Sequence, residues 1–137
     1  QALVAAVKAR RLTVSCGPFV TMTASTGEGL GEQVGVAEDG SVTFAVVVQA
    51  PSWIDLVEVR LLRNGAPVDS DPIVETAGGV RWEGTFTDSP EADAWYAVEV
   101  VGAGSILPVH KNGPPYAATN AIEVDADGDG TWTPPGL

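Results

Sequence analysis

Three aspartates close to the C-terminal end, Asp125, Asp127 and Asp129, alternate with small residues in the stretch DADGDGTW, and Gly130 follows the third directly. Carboxylates at relative positions one, three and five, with glycine at six, form the opening half of an EF-hand type calcium loop. The chemistry accounts for the spacing. Calcium takes several oxygens at about 2.3–2.6 Å, and alternate residues of a curling chain can aim their oxygens at one point. Gly130 permits the sharp bend, and the carbonyl of Thr131 is then expected to turn inward. The predicted metal site is therefore Asp125, Asp127, Asp129 and Thr131, with calcium as a structural cofactor. The loop's second half departs from the pattern. Gly136 stands where a bidentate Glu belongs, and TPPGL cannot continue as a helix. The missing ligand must come from water or from a distant carboxylate such as Glu123, so the expected affinity is weak, ~10⁻⁴–10⁻³ M. A hydrated Asp-Gly turn without an ion is the alternative.

Other chemistry-bearing residues are sparse. His110, in ILPVHKNGPP, has no evident partner within the reach that acid–base catalysis requires, and reads as an exposed loop histidine. Cys16 precedes Gly17-Pro18 and reads as a buried, inert thiol. A single cysteine excludes a disulfide framework within the chain, and one His with one Cys cannot build a zinc cluster. Trp53, Trp82, Trp95 and Trp132 raise a sugar-stacking platform as one reading, but packing is the simpler one. Trp95 and Tyr96 are adjacent, so in a strand they point to opposite faces and one belongs to the core. Ser15 and Ser25 lack a nucleophile setting. GEGLGEQVG lacks the lysine of a phosphate loop, and its Glu28 and Glu32 read as solvated surface.

Charge narrows the partners. Seven basic and eighteen acidic residues give a net charge of -11, which opposes nucleic acid and anionic membrane surfaces alike. No apolar run approaches the roughly 20 residues of a membrane helix. The acidity and the calcium motif together fit a site outside the cytoplasm, where calcium is abundant. A chain of 137 residues is long enough for one domain with a real core. It opens on Gln1 without a signal-peptide pattern, as a fragment or a processed product would.

Short strands must position these residues. Sixteen glycines and ten prolines, with many Val and Thr, favour strands and turns over helices. QALVAAVKARR is the exception: Leu3, Val4 and Val7 share one face of a helix predicted from about Ala2 to Ala9. RLTVS and FVTMTA flank the Gly17-Pro18 break. Glu38–Gly40 reads as a type I′ hairpin turn, and SVTFAVVVQA places Val42, Phe44, Val46 and Val48 on one face. Ile54 and Leu56 point inward while Asp55 and Glu58 face water. Asn64-Gly65 signals another hairpin, and APVDSDPIVE is a proline-interrupted edge strand. VRWEGTF and AWYAVEVVG look like a further pair, and YAATNAIEV closes the set. Roughly seven to nine strands with turns about every ten residues spell an all-β, Ig-like antiparallel β-sandwich with a short N-terminal helix. Residues 1–11 form a helical extension and 12–137 the sandwich.

Both ends resemble a known family. In LVAAVKARRLTVSCGPFVTM, residues Arg10, Arg11, Ser15, Gly17, Pro18 and Phe19 are similar to the segment where the catalytic barrel ends in metal-dependent hydrolases of the polymerase-and-histidinol-phosphatase (PHP) superfamily, in the carbaryl-hydrolase-like branch. Ala9 replaces the usual glycine. VEVRLLRNG and DAWYAVEVVG resemble sandwich strands of the same proteins. YAATNAIEVDADGDGTWTPPGL resembles their closing motif through Thr119, Asn120 and Ile122, with Ala121 where proline is usual. The resemblance implies a non-catalytic C-terminal β-sandwich accessory domain, since that family's metal ligands lie upstream of this region. It also implies an upstream catalytic domain as partner, with the apolar face of the first helix cut from its neighbours and open to self-association. The other reading is an independent, calcium-dependent binding module, for instance for carbohydrate.

Overall fold

The computed structural model describes residues 1–108 and 113–136; His110 lies outside the described residues. The chain begins with helix α1 (Ala2–Lys8) and continues through β1 (Thr13–Cys16), β2 (Phe19–Ala24), β3 (Gln33–Gly35), β4 (Val42–Gln49) and β5 (Leu56–Arg63). Then come β6 (Ala66–Pro72), β7 (Val80–Asp88), β8 (Ala94–Gly102), β9 (Tyr116–Thr119) and β10 (Ile122–Asp125). The strands form two sheets. One runs β2-β4-β7; the other is built on β8, which carries β5 and then β6 on one side and both β9 and β10 on the other. Beyond these, β1 pairs with β9 and β3 pairs in parallel with β10.

Alternation puts the core between the sheets. In β4, Val42, Phe44, Val46 and Val48 are all buried, as the period-two pattern predicts. They join Val59 and Leu61 from β5 and Tyr96, Val98 and Val100 from β8 in one cluster. Phe44 meets Tyr96 with ring centroids 5.0 Å apart. Each such side chain, fully buried, contributes about 1.5–3 kcal/mol. Tyr96 is the core member of the Trp95–Tyr96 pair, and Trp82 stacks on Phe86 at 5.2 Å, whereas Trp53 remains exposed. Cys16 is half-buried against the core cluster.

Local signals and long-range pairing agree at Asn64-Gly65 and part company at three other places. Asn64 and Gly65 take φ of 52° and 85°, the type I′ geometry, and join β5 to β6 as a hairpin. The Glu38–Gly40 turn is tight, closed by Gly40 N–H to Ala37 O at 2.9 Å, but only Gly40 has positive φ, so it is not type I′. It also joins no hairpin, because β3 and β4 belong to different sheets. Similarly, β7 and β8 are not a pair: β7 lies against β4, and the TDSPEAD connection crosses from one sheet to the other. Finally, YAATNAIEV is two strands, broken at Asn120-Ala121.

Helix α1 buries none of its residues, and Leu3, Val4 and Val7 are exposed. What holds this end is the chain just after it. Arg10 pairs with Glu123 of β10, and Arg11 pairs with Glu32 at 2.7 Å. At the opposite side, the buried Arg81 donates to the carbonyls of Pro51, Ile54 and Glu75 at 2.6–3.0 Å, tying two loops to β7. No helix is long and apolar enough to cross a membrane among the described residues.

Candidate metal centre

The site begins with a ladder register. In the antiparallel β8–β10 pair, Val124 lies opposite Ala94. One step further along, Asp125 at the end of β10 comes beside Asp93, which immediately precedes β8. Residues opposite each other in a ladder share a face, so the two carboxylates converge although they are far apart in sequence. Asp127, two residues on in the loop, completes the group. One oxygen from each of Asp93, Asp125 and Asp127 lies within 4.8 Å of the others. Two oxygens bound to one calcium at about 2.3–2.6 Å lie at most about 5 Å apart, so the three fit around a single hard cation.

The loop is shaped by backbone amides. Asp125, only 5% exposed, accepts from Gly128 N–H at 2.8 Å on Oδ1 and from Gly130 N–H at 2.9 Å on Oδ2. Gly128 and Gly130 have φ of 73° and 88°, a conformation that turns these amides inward and that other residues adopt at a cost. Asp127 accepts from Asp129 N–H at 3.1 Å, and Asp129 from Thr131 N–H at 2.7 Å. Gln33 of β3 braces the loop from the side, accepting from Trp132 N–H at 3.1 Å. The Trp132 indole donates to Ala94 O at 3.0 Å. Asp93 accepts from Ala126 N–H at 2.9 Å and from Thr133 N–H at 2.6 Å. The Thr133 and Ala126 amides hold its carboxyl below the usual carboxylate range. A carboxylate has about four lone-pair positions, so these bonds orient the oxygens and leave acceptor capacity for an ion.

Of the four residues expected as ligands, Asp125 and Asp127 are in the group of three. Asp129 lies outside that group, in the exposed part of the loop, and Thr131, expected through its backbone carbonyl, is exposed beside it. The distant carboxylate in this group is Asp93, and Glu123 is not part of it. Glu123 is held by Arg10, whose Nη2 lies 3.1 Å from Oε2. Asp93 carried no local signal, because its place in the group depends on the β8–β10 register. Beside the group opens a cavity of about 870 Å³, lined by Asp93 and Asp127 together with Arg63, Asn64, Pro90 and Pro134.

Two facing sheets, antiparallel except where β3 joins β10, one of β2-β4-β7 and one centred on β5 and β8, with an acidic loop at one end, define an Ig-like β-sandwich. Among solved structures the chain is similar to the CARDB domain of the PF1109 protein from Pyrococcus furiosus, crystallised in complex with di-metal ions. Identity is 21%, coverage is 79% of this chain and 89% of that chain, and the TM-score is 0.49. The solution NMR structure of that domain matches with 21% identity over 80% of this chain and 97% of that chain, at a TM-score of 0.43. No family model and no curated protein matches the chain.

Proposed function

We propose that this chain is a non-catalytic accessory β-sandwich whose acidic end binds calcium through Asp93, Asp125 and Asp127. The observation that carries this reading is the convergence of three carboxylate oxygens within 4.8 Å, one of them on a residue only 5% exposed. An all-oxygen donor set suits a hard cation. Such an ion would tie the end of β10 to the start of β8 and spare the chain the repulsion between these carboxylates. Following the PHP resemblance, the sandwich is appended to a metal-dependent hydrolase, and the uncovered Leu3, Val4 and Val7 pack against its barrel. A His- and Asp-rich barrel encoded just upstream is the expected finding for that attachment.

The test of the metal reading is thermal unfolding with and without calcium. A ligand at 10 to 100 times its Kd stabilises by about 1.4–2.7 kcal/mol, so millimolar calcium is expected to raise Tm. Asp93→Asn and Asp127→Asn remove the shift, while Glu123→Gln retains it. A wild-type Tm indifferent to calcium overturns the metal reading. The cavity lined by Asp93 and Asp127 favours a second reading, a calcium-dependent module that holds a carbohydrate there. Calcium-dependent quenching of tryptophan fluorescence by soluble polysaccharide separates the two.

A further inference from the structure

Sheet edges are where a sandwich is exposed to unintended pairing, and most edges here are blunted. β6 carries Pro67, Pro72, Asp69 and Asp71; β1 and β3 are four and three residues long; and β2, the other edge of the β7 sheet, already has outward backbone groups engaged, Val20 O by the Thr13 hydroxyl and Ala24 N–H by Glu28 O. The edge formed by β7 is different. It is nine residues long, VRWEGTFTD, with no proline and no lysine, and among the described residues its neighbour in the sheet is β4 alone.

The direction of its free groups follows from two contacts. Ser25 N–H donates to Thr43 O at 2.9 Å, so Thr43 turns its backbone toward β2 and away from β7. Thr43 lies opposite Thr87, and their hydroxyls are 2.8 Å apart. Such close side chains mark a non-hydrogen-bonded pair. By alternation, Thr87, Thr85 and Glu83 all aim their N–H and C=O groups at the open edge, and all three residues are exposed.

We propose that this edge pairs antiparallel with β7 of a second copy of the chain, about a two-fold axis at Thr85. The spacing of the free groups is self-complementary. Glu83 then faces Thr87 of the second copy, and Thr85 faces its own counterpart, so every outward amide and carbonyl of these residues gains a partner and no like charges are opposed. The charge distribution also fits a second copy. In a chain of net charge -11, the outer face of this sheet presents Thr21, Thr23, Ala45, Val47, Thr85 and their neighbours, with Glu83 its one charge among the described residues. The acidic loop is carried on the other sheet. One strand pair buries less than the roughly 1,200 Å² of a stable complex, so the association is weak and concentration-dependent.

Sedimentation equilibrium of the full chain from micromolar to millimolar concentration tests this. The weight-average mass is expected to rise from 14.1 kDa toward twice that value. Amide exchange at Glu83, Thr85 and Thr87 is expected to slow over the same range. Thr85→Pro removes an amide that serves only the edge, and Thr85→Lys blocks the edge should the proline disturb the strand. Both variants are expected to stay at the monomer mass. A wild-type chain that remains monomeric at millimolar concentration overturns the proposal. So does association by Thr85→Lys equal to that of wild type, which would place the contact elsewhere, as on α1.

Discussion

The hydroxyl of Tyr96, whose side chain is completely buried at the start of β8, donates to Oδ2 of Asp88 at 2.8 Å, and Arg63 Nη1 reaches the same oxygen at 2.9 Å. Asp88 ends β7 in one sheet, while Tyr96 and Arg63 belong to the other. The arrangement resembles the tyrosine corner of Ig-like sandwiches, in which a tyrosine near the start of a strand bonds back to the chain a few residues upstream. Here the acceptor is a side-chain carboxylate. The contact clamps the two sheets together at the start of the TDSPEAD connection, which crosses between them and ends in Asp93. It therefore links the geometry of the core to the position of the candidate metal ligand.

Tyr96→Phe tests the clamp. The ring and its packing on Phe44 remain, while the hydroxyl bond to a charged acceptor is lost. Such bonds contribute about 1.5–3 kcal/mol, and Asp88 keeps Arg63, so the expected loss lies at the lower end, about 1.5 kcal/mol. Denaturant unfolding measures it. An unchanged midpoint would show that the hydroxyl does no work in holding the sheets together.

The same pair dictates a response to alkali. Burial, and then the bond to Asp88, push the Tyr96 phenol well above its ordinary value of about 10. The neutral, protonated form is thus favoured in the folded state. A group whose folded pKa is raised contributes its full stabilisation below the unfolded value and loses it as pH rises through the folded one. Stability is expected to hold to about pH 10 and then to fall. Tyr96→Phe should flatten that alkaline limb, which a series of unfolding curves between neutral pH and pH 11 reads directly.

What the sequence made legible was local. The alternation of Val42, Phe44, Val46 and Val48 reported a half-buried strand because period two is a property of the strand itself. Asn64-Gly65 reported its turn because two positive φ angles are a property of those two residues. Pairing is not local. β7 and β8 are adjacent in sequence and alike in pattern, yet which neighbour each takes depends on β4 and β5 elsewhere in the chain. The acidic site shows both sides of this. Asp125 and Asp127 stood out by spacing, while Asp93 became a candidate only through the position of Val124 opposite Ala94. Glu123 offered the same functional group, and Arg10, more than a hundred residues away in sequence, took it.

The break between β9 and β10 leads to the last prediction. On one side of it, Ala118 lies opposite Glu99; on the other, Ile122 lies opposite Tyr96. The register slips by one residue across Asn120-Ala121, and the ladder cannot serve the β8 amides at the slip. Thr119 fills the gap: its Oγ1 accepts from Val98 N–H at 2.9 Å, in a buried position. Thr119→Val conserves shape and removes the acceptor, leaving a buried amide without its bond. An orphaned buried donor costs about 1–3 kcal/mol, a loss out of proportion to the removal of one exposed-surface hydroxyl. Denaturant unfolding of Thr119→Val is expected to show it, with Thr85→Val on the open face of the other sheet as the control that changes little. Because β10 continues from this break directly into Asp125, the variant should also weaken whatever calcium-dependent stabilisation the wild type shows. Equal stability of the two valine variants would mean that the slip is held by packing of Ile122 and Val124 alone.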